Sequence, residues 1–269
     1  MPRRFLPIIL CAILNACSTE RTPTEEPGAG TVPKTPPPPA AAVQTYSVVK
    51  TFPHDPTAFT QGLIVHQGQF IESTGQLGQS TIRKVAIATG TVRSRTALEN
   101  QYFGEGCTVL GGKAYMLTWL NQTAFIFDAA TLRKTGEVRY AGEGWGLTND
   151  GTHLIMSNGS NVLTYLDPAS FRVIRSVPVT FNGSPLANLN ELEWIEGEIW
   201  ANVWQTDNIV RIDPGTGHVK AIIDLTGLLP ADRRTEDTDV LNGIAYDAAS
   251  KAVYVTGKNW PSVFQISVR

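Results

Sequence analysis

Cysteine, histidine, charge and long apolar runs are all scarce in this chain. Its 269 residues include three Cys and four His. Cys11 and Cys17 both lie close to the N-terminus, so only Cys107 remains for the rest of the chain. A fold stapled by an internal disulfide is therefore excluded. Cys107 sits in Gly104-Glu105-Gly106-Cys107-Thr108-Val109-Leu110 and reads as a small buried side chain rather than a nucleophile. The histidines show no pairing at zinc-ligand spacing. His54, followed by Asp55-Pro56, reads as a turn former. Charged residues make up 17% of the chain and the formal net charge is -2. That leaves no basic footprint for nucleic acid. No stretch holds a helical period, which excludes a helical bundle.

The one apolar run, 5–14, is too short to span a bilayer as a lasting helix. It follows Arg3-Arg4 and precedes Leu14-Asn15-Ala16-Cys17, which together look like a lipoprotein signal over residues 1–16. Asn15 departs from the small or apolar residue usual at that place. Acyl chains on Cys17 would hold the protein on a membrane without crossing it. Ser18, rather than Asp, after the Cys points to the outer membrane of a two-membrane bacterium, facing the periplasm. Residues 17–43 are rich in Pro, Thr, Glu and Gly and include Pro36-Pro37-Pro38-Pro39. They cannot build a core and read as a disordered spacer.

From residue 44 to the C-terminus the pattern changes. Short β-branched and aromatic runs alternate with Gly, Asp, Asn and Pro, the signature of many short strands. One phrase recurs five times: Gln61-Gly62-Leu63, Gly106-Cys107-Thr108, Trp145-Gly146-Leu147, Asn190-Glu191-Leu192 and Asn242-Gly243-Ile244. Each copy is followed by a turn and a strand, and then by a second pair of alternating strands. Four strands in each period of about 40 to 50 residues is the pattern of a propeller blade. The expected fold is all-β: a five-bladed β-propeller with four-stranded antiparallel blades. The fifth copy lacks its last strand, and residues 45–50 are a spare strand ahead of the first. The N-terminal strand is therefore expected to close the ring and remove two open edges. The insert at 225–238 reads as a polar loop or short helix.

In a propeller the innermost strands line a central channel, so equivalent positions converge at its mouth. Periodicity places Gln61, Glu105, Trp145, Asn190 and Asn242 in one ring. The ends of the second strands place Thr74, Trp119, Asn158, Trp204 and Lys258 in another. Carboxyl, amide, ammonium and indole groups of this kind suit a small polar ligand with an amide or amine. Trp194 and Trp200 read as core.

Several phrases resemble the plant and bacterial type of glutaminyl cyclase. They are Phe52-Pro53-His54-Asp55-Pro56, Phe59-Thr60-Gln61-Gly62-Leu63, Phe103-Gly104-Glu105-Gly106 and Gly144-Trp145-Gly146-Leu147. Leu189-Asn190-Glu191-Leu192-Glu193-Trp194, Ala201-Asn202-Val203-Trp204, Leu241-Asn242-Gly243-Ile244-Ala245 and Thr256-Gly257-Lys258-Asn259-Trp260 continue the match to the C-terminus.

The resemblance implies a glutaminyl-peptide cyclotransferase, which turns the N-terminal glutamine of a peptide into pyroglutamate and releases ammonia. It puts the catalytic acid at Glu105, with Asn190 and Lys258 beside it. The substrate-binding residues fall on Phe59, Gln61, Phe103, Trp119, Trp145 and Trp204. No cofactor or catalytic metal is expected. A structural calcium stays open, with Glu236-Asp237-Thr238-Asp239 as a weak candidate site. The expected partners are peptides with N-terminal Gln and, through Cys17, a membrane. A closed ring needs no second copy, so a monomer is expected. Two rival readings remain: a calcium-dependent lactonase-like propeller using Glu105, Asn190 and Asn242, and an inactive envelope propeller that presents a binding surface.

Overall fold

The computed structural model describes residues 41–269. The signal segment, Cys17 and the spacer up to residue 40 lie outside the described residues. Five four-stranded antiparallel blades follow one another along the chain. Blade 1 runs Thr60–His66, Gln69–Thr74, Thr81–Val85, Val92–Ala97. Blade 2 runs Gly104–Leu110, Lys113–Thr118, Thr123–Asp128, Lys134–Arg139. Blade 3 runs Leu147–Asn149, Leu154–Met156, Val162–Leu166, Val173–Pro178. Blade 4 runs Leu189–Ile195, Glu198–Val203, Asn208–Ile212, Val219–Asp224. Blade 5 has Leu241–Asp247, Ala252–Gly257 and Ser262–Val268, with Tyr46–Pro53 paired antiparallel to the last of these. The short strand Ala42–Gln44 adds to the outer edge of blade 4 in parallel, so residues 42 and 43, expected to belong to the disordered spacer, are part of the sheet.

Side-chain alternation explains the ring. In blade 1, Ile64, Ile71 and Ile82 join a buried cluster with Cys107, Met116 and Phe125 of blade 2. Their neighbours Leu63, Phe70 and Val85 face the other way, into a cluster with Ala245, Tyr254 and Val263 of blade 5. Period-two strands thus give each sheet two apolar faces, one for each neighbouring blade. The remaining three blade junctions hold equivalent clusters. Each fully buried aliphatic or aromatic side chain contributes about 1.5–3 kcal/mol. The 225–238 insert is less polar in effect than its composition suggests. It contains the 3-10 turn Ala231–Arg233, and Leu225, Leu228 and Leu229 are buried between blades 4 and 5.

The recurring phrase has a specific geometry. In four blades the innermost strand is bulged there, with register shifts between Thr60 and Gly62, Gly104 and Cys107, Leu189 and Leu192, and Leu241 and Ile244. A bulge re-aims a side chain. The phrase glycine is required by crowding: a Cβ on Gly106 would stand 2.5 Å from the Leu147 backbone nitrogen. Blade 4 carries Glu191 in place of that glycine. Its carboxylate accepts the backbone N–H of Leu63 at 3.2 Å and of Ile244 at 2.9 Å, tying blades 1, 4 and 5 together. Burial without a cation pushes the Glu191 carboxyl well above the usual range.

Candidate active site

The bulges of blades 1, 2 and 4 and the turns after the second strands of blades 2, 4 and 5 open on one cavity. It has a volume of about 390 Å³ and is lined by Phe59, Gln61, Phe103, Glu105, Trp119, Trp145, Asn190, Trp204 and Lys258, together with Gln205, Asp239 and Val240. The nine catalytic and substrate-binding residues that the resemblance implies are therefore all on one wall or another of this cavity. A larger cavity, about 610 Å³, lies beside it and shares Phe59, but its lining is a polar surface around Arg83, Arg95 and Asp237. It lacks the convergence of aromatic walls and a buried carboxyl that a reaction site needs.

Glu105 is the buried carboxyl of the site. The bulge between Gly104 and Cys107 carries it, and Ser73 of blade 1 fixes its main chain by donating to the Glu105 carbonyl at 2.6 Å. No hydrogen bond from the described residues reaches its carboxyl. Burial pushes the Glu105 carboxyl well above the usual carboxylate range; Lys258 pulls it down and Glu143 pushes it further up. Asn190 is held in the same way, with Ser157 donating to its carbonyl at 2.6 Å. Its side-chain Oδ1 is buried and has no partner among the described residues. On the cavity wall that oxygen is an acceptor suited to an N–H of a ligand, because an unpaired buried acceptor costs about 1–3 kcal/mol.

Lys258 stands with its Nζ 4.7 Å from the centroid of the Phe59 ring. Burial lowers its affinity for a proton, while Glu105 and Asp239 raise it. Its backbone is clamped to the 239–240 segment: Lys258 N–H donates to Val240 O at 2.9 Å and Asp239 N–H to Lys258 O at 3.0 Å. Asn259 N–H donates to Ala58 O at 2.7 Å, which joins the Lys258 turn to the Phe59 loop.

The walls are aromatic. Phe59 meets Phe103 edge to face at 6.0 Å, and Phe103 meets Trp119 at 5.8 Å. On the far side Trp145 meets Trp204 edge to face at 5.5 Å. Both Trp119 and Trp145 donate their indole N–H to the same oxygen of Glu143, at 2.8 and 3.0 Å.

Three positions of the expected rings fall elsewhere. Asn242 is buried, with its amide donating to Thr60 O at 2.9 Å and Gln61 Oε1 at 3.3 Å, so it orients Gln61 from behind. Thr74 pairs with Thr81 at 2.9 Å, and Asn158 caps a turn by accepting from Ser160. Glu105, Asn190 and Asn242 thus do not meet as one ligand set, and among the described residues no group of three or more His, Cys, Asp and Glu gathers at metal-binding distance. Sequence reasoning does not place Gln205, Asp239 and Val240 at the cavity, because they lie outside the repeated phrases; it reads Asp239 only as part of a weak calcium candidate. Trp200 is buried as expected, and Trp194 packs half-buried against the blade 3–4 cluster.

A family model described as glutamine cyclotransferase matches residues 9–268 of the chain. The glutaminyl-peptide cyclotransferase of Arabidopsis thaliana is 42% identical over 233 residues, covering 84% of this chain and 72% of that protein. The crystal structure of Myxococcus xanthus glutaminyl cyclase superposes with a TM-score of 0.79 at 35% identity, covering 85% of this chain and 98% of that one.

Proposed function

The chain belongs to the glutamine cyclotransferase family, and we propose that it is a glutaminyl-peptide cyclotransferase that closes N-terminal glutamine to pyroglutamate with loss of ammonia at Glu105. The observation that carries this is the Glu105 carboxyl: buried, unpaired, and open to an aromatic cavity with Lys258 across it. In the reaction the α-amine nitrogen attacks the side-chain amide carbon of the same residue. A C–N bond forms in the new ring and the C–N bond to the amide nitrogen breaks. Glu105 takes the proton from the attacking amine and returns it to the leaving nitrogen, so no proton is gained or lost overall. A raised carboxyl pKa suits that double duty, because the group must both accept and give.

Lys258 donates to the amide oxygen as negative charge develops on it. Asn190 Oδ1 accepts an N–H of the substrate. The indoles and phenylalanines fold the glutamine side chain back toward its own amine and exclude water, a proximity effect. Lewis-acid assistance is not needed, since Lys258 polarises the carbonyl and Glu105 handles the proton. The test is ammonia release from a peptide with N-terminal Gln, with and without a chelator. The expected result is equal release in both; no release in either would sink the function, and loss with chelator alone would sink metal independence.

We also propose that acyl chains on Cys17 tether the enzyme to the outer membrane, where it meets exported peptides. The motif Leu14-Asn15-Ala16-Cys17 supports this. In a bacterial host, Cys17→Ser is expected to move the protein from the membrane fraction to the soluble fraction with activity retained. A variant still pelleting with membranes would refute the anchor.

A further inference from the structure

We infer that Glu143 is a positioning residue for the proposed cyclisation: one of its carboxylate oxygens holds the two indoles that wall the cavity. The inference rests on the proposed reaction, but its geometric half can be tested without it. Trp119 is 39% exposed, on the turn that follows the second strand of blade 2. An indole so exposed has rotamer freedom, and ordering it costs entropy. Packing offers it the Phe103 ring on one side. What fixes its plane is the Nε1–H bond to Glu143 at 2.8 Å. The same segment also grips its main chain, since Gly144 N–H donates to Trp119 O at 3.2 Å.

Trp145 is held from three directions. Trp204 meets it edge to face. Gly159 lies beneath it, where a Cβ would stand 2.7 Å from Cζ2. Glu143 takes its Nε1–H at 3.0 Å. An indole N–H can only donate, so two of them converging on one point require an acceptor with two lone pairs, which a carboxylate oxygen supplies. The two tryptophans come from different blades, and Glu143 sets their relative orientation.

The second effect is electrostatic. Burial raises the Glu105 carboxyl; beyond that, the charge of Lys258 favours its ionised form and that of Glu143, held at the two indoles, opposes it. The Tyr140 phenol is also within reach of the Glu105 charge, but burial pushes it up to about 12, so it stays neutral and donates to the Thr118 carbonyl. Glu143 therefore offsets part of the Lys258 pull and leaves Glu105 readier to hold a proton.

Two variants separate these roles. Glu143→Gln keeps an acceptor oxygen and loses the charge. Glu143→Ala loses both. Neither KM nor the position of a pH limb depends on what fraction of the sample is folded. With Glu143→Gln, the limb of kcat/KM assigned to Glu105 is expected to move to lower pH by about half a unit or more, with KM changed little. With Glu143→Ala, the same displacement is expected together with a rise in KM of about tenfold. A limb that stays put in both variants overturns the electrostatic role. A KM unchanged in Glu143→Ala overturns the clamp. Should the wild type release no ammonia, the function fails and the clamp is read by acrylamide quenching of tryptophan emission instead. Glu143→Ala should then quench more readily than wild type, with most of the difference gone in a Trp119→Phe background; equal quenching would reject the clamp.

Discussion

Glu105→Gln is expected to lower kcat by about a hundred- to ten-thousandfold, the usual worth of general acid–base catalysis, with KM changed only a few-fold. Glutamine matches glutamate in size, and the Ser73 bond to the Glu105 carbonyl is a main-chain contact that the substitution leaves in place. The cavity should therefore keep its shape and its affinity. What the variant loses is the one buried group on the cavity wall able to accept a proton from the amine and deliver it to the leaving nitrogen. Steady-state kinetics on a Gln-headed peptide separates the two parameters. A variant that keeps most of its kcat would place the shuttle elsewhere. Glu191 is the carboxyl that sequence position suggests next, but both its oxygens accept backbone N–H bonds and it is absent from the cavity wall. Asp239 is then the remaining carboxyl lining the cavity.

The parts of the site that could be read from the sequence are those tied to the repeat. Gln61, Glu105 and Asn190 sit at the same step of a phrase that recurs, and the step is a bulge that turns the side chain toward the channel mouth. Equivalence in a repeat fixes the backbone, however, and leaves the rotamer to local partners. Asn242 shares the step but spends its amide on Thr60 and Gln61, so it stands behind the cavity. Asn158 occupies the position of Trp119 and Trp204 but turns back to cap its own loop. Residues outside the repeat carry no such signal. Asp239 and Val240 reach the cavity because the segment before blade 5 pairs with the Lys258 turn. Glu143 lies two residues ahead of Trp145 and shows its role only once Trp119 of the previous blade is placed beside it. His54, which the sequence reads as a turn former, is a member of a buried charge network, because its partners Glu72 and Trp260 lie 18 and 206 residues further along the chain.

Loss of that network is expected to destabilise the fold by several kcal/mol. Glu72 is fully buried on the second strand of blade 1. Its Oε1 accepts from Thr60 Oγ1 at 2.7 Å and His54 Nε2 at 2.9 Å, and its Oε2 from Arg83 Nε at 2.9 Å. Arg83 reaches on to Asp55 at 2.8 Å. His54 Nδ1 lies 2.7 Å from the Trp260 carbonyl, which can only accept. Both ring nitrogens must therefore donate, and His54 is an imidazolium. Glu72 thus holds two cations, and it fixes the loop that carries Phe59 to the turn that carries Lys258. The Arg83 and His54 charges bring its carboxyl down to about 2 from an ordinary 4.5, despite burial. A depressed carboxyl stabilises the fold above its unfolded pKa and loses that contribution as pH falls through the folded one. The window is therefore about pH 4.5 down to about 2, and the contribution is roughly 3 kcal/mol. Glu72→Gln removes the anion, turns an amide N–H toward Arg83, takes away what favours the charged form of His54 so that the buried imidazole sheds its proton, and leaves Arg83 with Asp55 alone. At pH 7 it should cost about 3–5 kcal/mol in denaturant unfolding. The difference from wild type should shrink only as the pH is lowered from about 4.5 toward 2, because there acid removes the same charge from the wild type. A penalty equal at pH 7 and in acid would mean that shape, and not charge, is what Glu72 supplies.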